Sequence, residues 1–179
     1  MIWILCIYIF FLSSCEQKPQ ERHYNEIVIE PPQESGNLSW DVPQGWKQEA
    51  GEGMRLASFH PVSDAKTIDC SIVSLSGAAG GLEANLNRWM GQLGLEVSDD
   101  HLKQLILSAQ DVQTKGGIEA KVFDFTNLQA QGSPSDKSMI AAMINVDLTT
   151  VFIKMTGSMG SVKQYRDDFL KLLRSIVRQ

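Results

Sequence analysis

The order in which extended and helical segments follow one another constrains this chain more than any single motif. From Leu38 onward, three extended segments come first, then two helical ones, then three more extended ones and a closing helix. Trp40-Asp-Val-Pro-Gln-Gly-Trp46 reads as a strand end and a turn, because Pro43 fixes φ and Gly45 permits a tight bend. Met54–Phe59, bounded by Gly53 and Pro61, and the alternating, β-branched Thr67–Ser76 read as strands. Helices are predicted over Leu82–Leu93 and over Asp99–Ser108, whose acidic first turn suits the helix dipole. Strands follow over Ile118–Thr126, Met139–Val146 and Thr150–Thr156, with a turn at Gly116-Gly117 and a loop over Gln129–Asp136. The tight Asp147-Leu148-Thr149 connection makes the last two strands a hairpin. Val162, Tyr165, Phe169, Leu172, Leu173 and Ile176 share one face of a final helix over Ser161–Arg178. Strands and helices do not alternate throughout, which excludes a doubly wound parallel sheet. The fold class that remains is α+β: an antiparallel sheet of about five or six strands flanked by helices.

Upstream of this domain, residues 1–12 form an apolar run without a charged side chain. A helix needs about 20 such residues to span a bilayer, so the run matches the core of an export signal instead. Leu12-Ser13-Ser14-Cys15 then resembles the lipobox of bacterial lipoproteins. The resemblance implies that residues 1–14 are a signal peptide, that cleavage falls before Cys15, and that the Cys15 thiol carries diacylglycerol. It also implies acylation of the new amine, so that the protein is held at a membrane of the bacterial cell envelope by two or three chains. The chain departs from the family pattern in having no Lys or Arg ahead of the apolar run. Residues 15–37 read as lipidated cysteine and tether, rich in polar residues and proline, with a mean reach of about 25 Å. Within it, Ile27-Val28-Ile29 reads as a short strand or a docking patch. Residues 38–179 form one globular domain.

Cysteine usage agrees. Cys6 leaves with the signal and Cys15 is lipidated, so Cys70 alone remains and no internal disulfide is available. Cys70 lies in an alternating run between Ile68 and Ile72 and reads as a small core residue. A net charge of −5 argues against nucleic acid as a partner.

The Trp-x-x-Pro-x-Gly-Trp opening, the Met-Arg-x-Ala-x-Phe strand and the Asn-x-Asn-Arg-Trp helix, set in this element order, resemble the Mog1/PsbP-like α/β/α sandwich and a group of bacterial envelope proteins. The resemblance covers about Leu38 to Arg178. It implies a binding or assembly role with an envelope protein as partner. It transfers no site residue.

Chemistry-bearing motifs are sparse. His23, His60 and His101 are scattered, so no zinc site is expected. No G-x-S-x-G elbow is present, no paired carboxylates read as catalytic, and no cofactor is expected. Asp167-Asp168 reads as a solvated helix position. Ser76-Gly-Ala-Ala-Gly-Gly81 lacks phosphate-loop spacing and reads as a strand-to-helix turn needing positive φ. The 82–93 helix is more informative. Leu82, Leu86, Trp89, Met90 and Leu93 face a core, and Asn85, Arg88 and Gln92 make a polar stripe beside Trp89. Two readings stand for these four candidate binding residues. The stripe holds a ligand carboxylate or a partner peptide, with the planar Arg88 fork suited to it. Alternatively, its members satisfy backbone groups of the neighbouring loop or are solvated. Three functions fit: a binding or assembly module, small-ligand handling or hydrolysis at the stripe, and a purely structural lipoprotein.

Overall fold

A computed structural model describes residues 38–64, 67–128 and 136–179. The signal segment, Cys15 and the tether with Ile27–Ile29 lie outside the described residues, as does the Gln129–Asp136 loop apart from Asp136. The described elements are β1 (Leu38–Ser39), β2 (Trp46–Ala50), β3 (Arg55–Pro61), β4 (Ile68–Ser76), α1 (Leu82–Gln92) and α2 (Asp99–Leu107). They continue with β5 (Gln110–Gln113), β6 (Glu119–Asp124), β7 (Lys137–Val146), β8 (Thr149–Ser158), α3 (Met159–Gln164), α4 (Arg166–Ser175) and β9 (Val177–Arg178).

Among the described residues, seven strands form one antiparallel sheet in the order β2-β3-β4-β8-β7-β6-β5. The centre is the β7–β8 hairpin, paired from Lys137↔Ser158 to Val146↔Thr149. Alternation along these strands sends their side chains to two cores. On one side, Ile72, Ile140, Ile153 and Met155 pack with Val162, Phe169, Leu172 and Leu173 of α3 and α4. On the other, Phe123, Met139, Ala141 and Phe152 pack with Leu86, Trp89, Met90 and Leu105 of α1 and α2. The central strands are covered on both faces, which is why β7 reads as a near-continuous apolar run. The result is the three-layer α/β/α arrangement, an α+β fold.

The sheet is wider than five or six strands. β5 (Gln-Asp-Val-Gln) buries only Val112 and pairs on one side only, with β6. At the opposite edge, β2 follows the Pro43–Gly45 turn as a strand not expected from the sequence, and it buries only Trp46; the expected strand ending near Trp40 is β1, which pairs with β9 outside this sheet. An edge strand with one buried residue leaves no alternation to read, and its charged side chains discourage pairing with other chains.

The closing helix differs too. It breaks at Tyr165, with φ −95° and ψ 10°, and stops at Ser175. The Tyr165 ring packs edge-on against Trp46, their centroids 5.5 Å apart. Trp46 Nε1 donates to Asp168 Oδ2 at 3.2 Å, so Asp168 is a packing partner and not a solvated position. Beyond Ile176 the chain turns extended, and Val177–Arg178 pair with Leu38–Ser39. Arg178 therefore lies in a strand, joined to Asp147 of the β7–β8 turn at 2.7 Å.

Candidate ligand-binding groove

The polar stripe of α1 divides into two pairs. The loop before the helix turns through positive φ at Gly77, Ala79, Gly80 and Gly81. Ala79 is the costly one, because a left-handed conformation crowds its Cβ. Asn85, one turn into the helix, holds that loop. Its Nδ2 donates to the carbonyls of Ala79 at 3.0 Å and Gly81 at 2.6 Å, and the residue is fully buried. Trp89 is buried as well, edge-on to Phe152 and Phe125. One side chain is engaged by loop carbonyls and the other by the core. For Asn85, the loop-satisfying reading describes the geometry.

Arg88 and Gln92 are exposed. Arg88 Nη1 donates to Asn85 Oδ1 at 3.0 Å, which aims the guanidinium along the helix edge. Gln92 Oε1 accepts from Lys154 Nζ at 3.4 Å. Lys154 stands on β8 between Phe152 and Thr156, on the face that α1 covers. The lysine is half-buried, and its amine lines the rim beside Gln92. Burial pulls its pKa down; Asp69 opposes the shift, and Arg55 and Arg88 add to it.

Where the α1 layer ends, a groove of about 600 Å³ opens against the sheet. Gln92 and Leu93 form its helix side, and Asp69, Lys137, Lys154 and Thr156 stand on the sheet side. Ser138 also contributes to the wall; its hydroxyl is buried and makes no hydrogen bond among the described residues. Asp69 pairs with Arg55 at 3.3 Å, and Arg55 also donates to Ser58 Oγ at 2.8 Å. A volume of this size is typical of small-ligand sites. A smaller cavity of about 370 Å³ lies between Glu83 of α1 and Leu102, Ile106 and Leu107 of α2.

Other sequence candidates resolve into packing. Trp40 meets Phe59 edge-on and donates to Gln48 Oε1 at 3.0 Å, so both early tryptophans close the end of a core. Cys70 is fully buried, and burial, with help from Asp69, pushes its thiol well above the ordinary range. Among the described residues, no three His, Cys, Asp or Glu side chains gather as a metal site. No described helix is long and apolar enough to cross a membrane.

Lys154 and Lys137 were not singled out by sequence reasoning. One signal was available: Lys154 interrupts the apolar run Val151–Met155. Lys137 comes from the neighbouring strand, 17 residues away in sequence, and shares the groove wall only through the hairpin, where it pairs with Ser158.

The layers and strand order define an antiparallel α+β sandwich, and this fold is shared with known structures. LpqN of Mycobacterium tuberculosis, described as involved in cell envelope biogenesis, matches with a TM-score of 0.50 and 11% identity, over 80% of this chain and 84% of that one. The solution structure of cyanobacterial PsbP (CyanoP) from Synechocystis sp. PCC 6803 matches with a TM-score of 0.48 and 11% identity, over 80% of this chain and 94% of that one. No protein-family model and no curated protein matches the chain.

Proposed function

We propose that this chain is a lipid-anchored, non-catalytic binding module of the bacterial cell envelope, with the α1–sheet groove as its recognition site. One observation carries the reading: the position of the groove relative to the point where the chain enters the domain. Leu38 pairs with Arg178, which is bound to the turn of the β7–β8 hairpin. The groove takes its residues from the other end of that hairpin, near Lys137 and Ser158. Ten residues of strand separate the two ends by roughly 30 Å. A domain held through residue 38 keeps the groove at the end of the hairpin remote from that entry point, open to other envelope components. The lipobox resemblance supports the anchor, and the involvement of LpqN in cell envelope biogenesis supports the setting.

The test is the intact mass of the mature N-terminal peptide from the membrane fraction. A peptide beginning at Cys15 with acyl chains attached is expected. An unmodified peptide retaining Met1 overturns the anchor.

A further inference from the structure

We propose that the groove between α1 and strands β4, β8 and β7 binds a soluble small molecule through a phosphate or carboxylate group held at Lys154. This inference deepens the binding-module reading by naming the ligand chemistry, and it stands whether or not the chain is lipidated.

Charge is the first argument. The chain as a whole carries −5, yet this wall is cationic. Lys137 and Lys154 line the groove, Arg88 and Arg55 stand beside it, and Asp69 is the single carboxylate among the lining residues. That carboxylate is already engaged by Arg55 at 3.3 Å. A concave wall with an excess of one sign, backed by a low-dielectric core, concentrates counter-ions. On an acidic protein such a wall is a local choice of the sequence and not a consequence of composition.

Position is the second argument. Lys154 sits on a strand face that is otherwise apolar core, with Phe152 buried two residues before it. A half-buried ammonium there pays desolvation, which Asp69 offsets in part and Arg55 and Arg88 add to. Among the described residues the amine makes one hydrogen bond, a long one to a neutral amide, Gln92 Oε1 at 3.4 Å, while Asp69 attracts it without a hydrogen bond. An incoming anion adds the direct countercharge that Asp69, shared with Arg55, does not supply, and the Gln92 side chain can rotate to offer its NH₂ to the same group. Leu93 and Ile68 give the floor a small apolar area for the body of the ligand. The volume, about 600 Å³, admits a small molecule and not a folded partner.

The experiment is calorimetric titration of the full chain in detergent with inorganic phosphate and, separately, with acetate, at low salt. Saturable binding with a Kd of about 1 mM or tighter is expected for at least one probe, weakening as NaCl is added. Lys154→Met should weaken it about tenfold or more, since a charged hydrogen bond is lost, whereas Lys154→Arg should largely retain it. Arg88→Ala should weaken it a few-fold through the field alone, and Lys115→Met, at the far end of the sheet, should leave it unchanged. Absence of saturable binding for both probes overturns the proposal. So does equal loss in Lys154→Met and Lys115→Met, or wild-type affinity in a folded Lys154→Met protein. An acylated Cys15 peptide together with no anion binding would refute the ligand assignment while leaving the anchored module standing.

Discussion

Replacing Asn85 by alanine should damage the fold, and replacing its neighbour Arg88 should not. Asn85 is fully buried and donates to two loop carbonyls, Ala79 at 3.0 Å and Gly81 at 2.6 Å. A typical intramolecular hydrogen bond contributes about 1 kcal/mol net, and a carbonyl stripped of its partner adds a further penalty where water cannot replace it. Gly81 also accepts from the Asn85 backbone N–H, so it keeps a partner, whereas Ala79 loses the Asn85 amide. Ala79 moreover holds a positive φ of 47°, and the Asn85 amide is one of the contacts that keep it there. Together these give a loss of about 2–3 kcal/mol for Asn85→Ala. Arg88 is exposed and makes one hydrogen bond to Asn85, so Arg88→Ala should cost under about 1 kcal/mol. Guanidinium unfolding of the full chain, followed by tryptophan fluorescence, measures both. An Asn85→Ala protein within about 0.5 kcal/mol of wild type would refute the loop-holding role and return Asn85 to the ligand candidates.

Other expectations follow from the same geometry. Phe169→Ala empties a fully buried position under α4 and should cost about 3–5 kcal/mol in the same unfolding assay. Cys70 should resist Ellman's reagent in the folded protein and react on unfolding, since burial keeps it a thiol. Because its folded pKa lies above the unfolded one, the folded state binds more protons at alkaline pH. Stability is therefore full below the unfolded value of about 8.5 and falls as pH rises past it, and Cys70→Ala should flatten that decline by up to about 1.4 kcal/mol per pH unit. Lys154 shifts the other way: its ammonium is disfavoured on folding, so Lys154→Met should not lower the melting temperature measured at neutral pH.

The parts of the fold that were legible in the sequence are those where burial leaves a period. α1 shows its apolar face at Leu82, Leu86, Trp89, Met90 and Leu93, and the β7–β8 hairpin shows two apolar runs about a short turn. The edge strand β5 buries one residue and so shows nothing. The break at Tyr165 was hidden for the opposite reason. The apolar spacing from Val162 to Ile176 continues through it, and the residue packed against the break, Trp46, lies far upstream. The two-residue β1–β9 ladder likewise pairs distant segments, Leu38 with Arg178 and Ser39 with Val177, with no local signal. In the candidate site, Arg88 and Gln92 were visible as polar positions on a helix. Lys137 and Lys154 become site residues only once the hairpin register and the edge of the helix layer bring them to one wall.

That short ladder also sets how the domain answers to force. A pull arriving through residue 38 loads Leu38 and Ser39 against Arg178 and Val177 before it reaches any strand of the large sheet. Two residue pairs open one after another under such a load, like a zipper. Behind them stand the Asp41 N–H bonded to Ser175 Oγ at 2.9 Å and the Trp40 ring on Phe59. Small loads arriving there open this clasp, which can re-form, before they reach the groove at the far end of the hairpin.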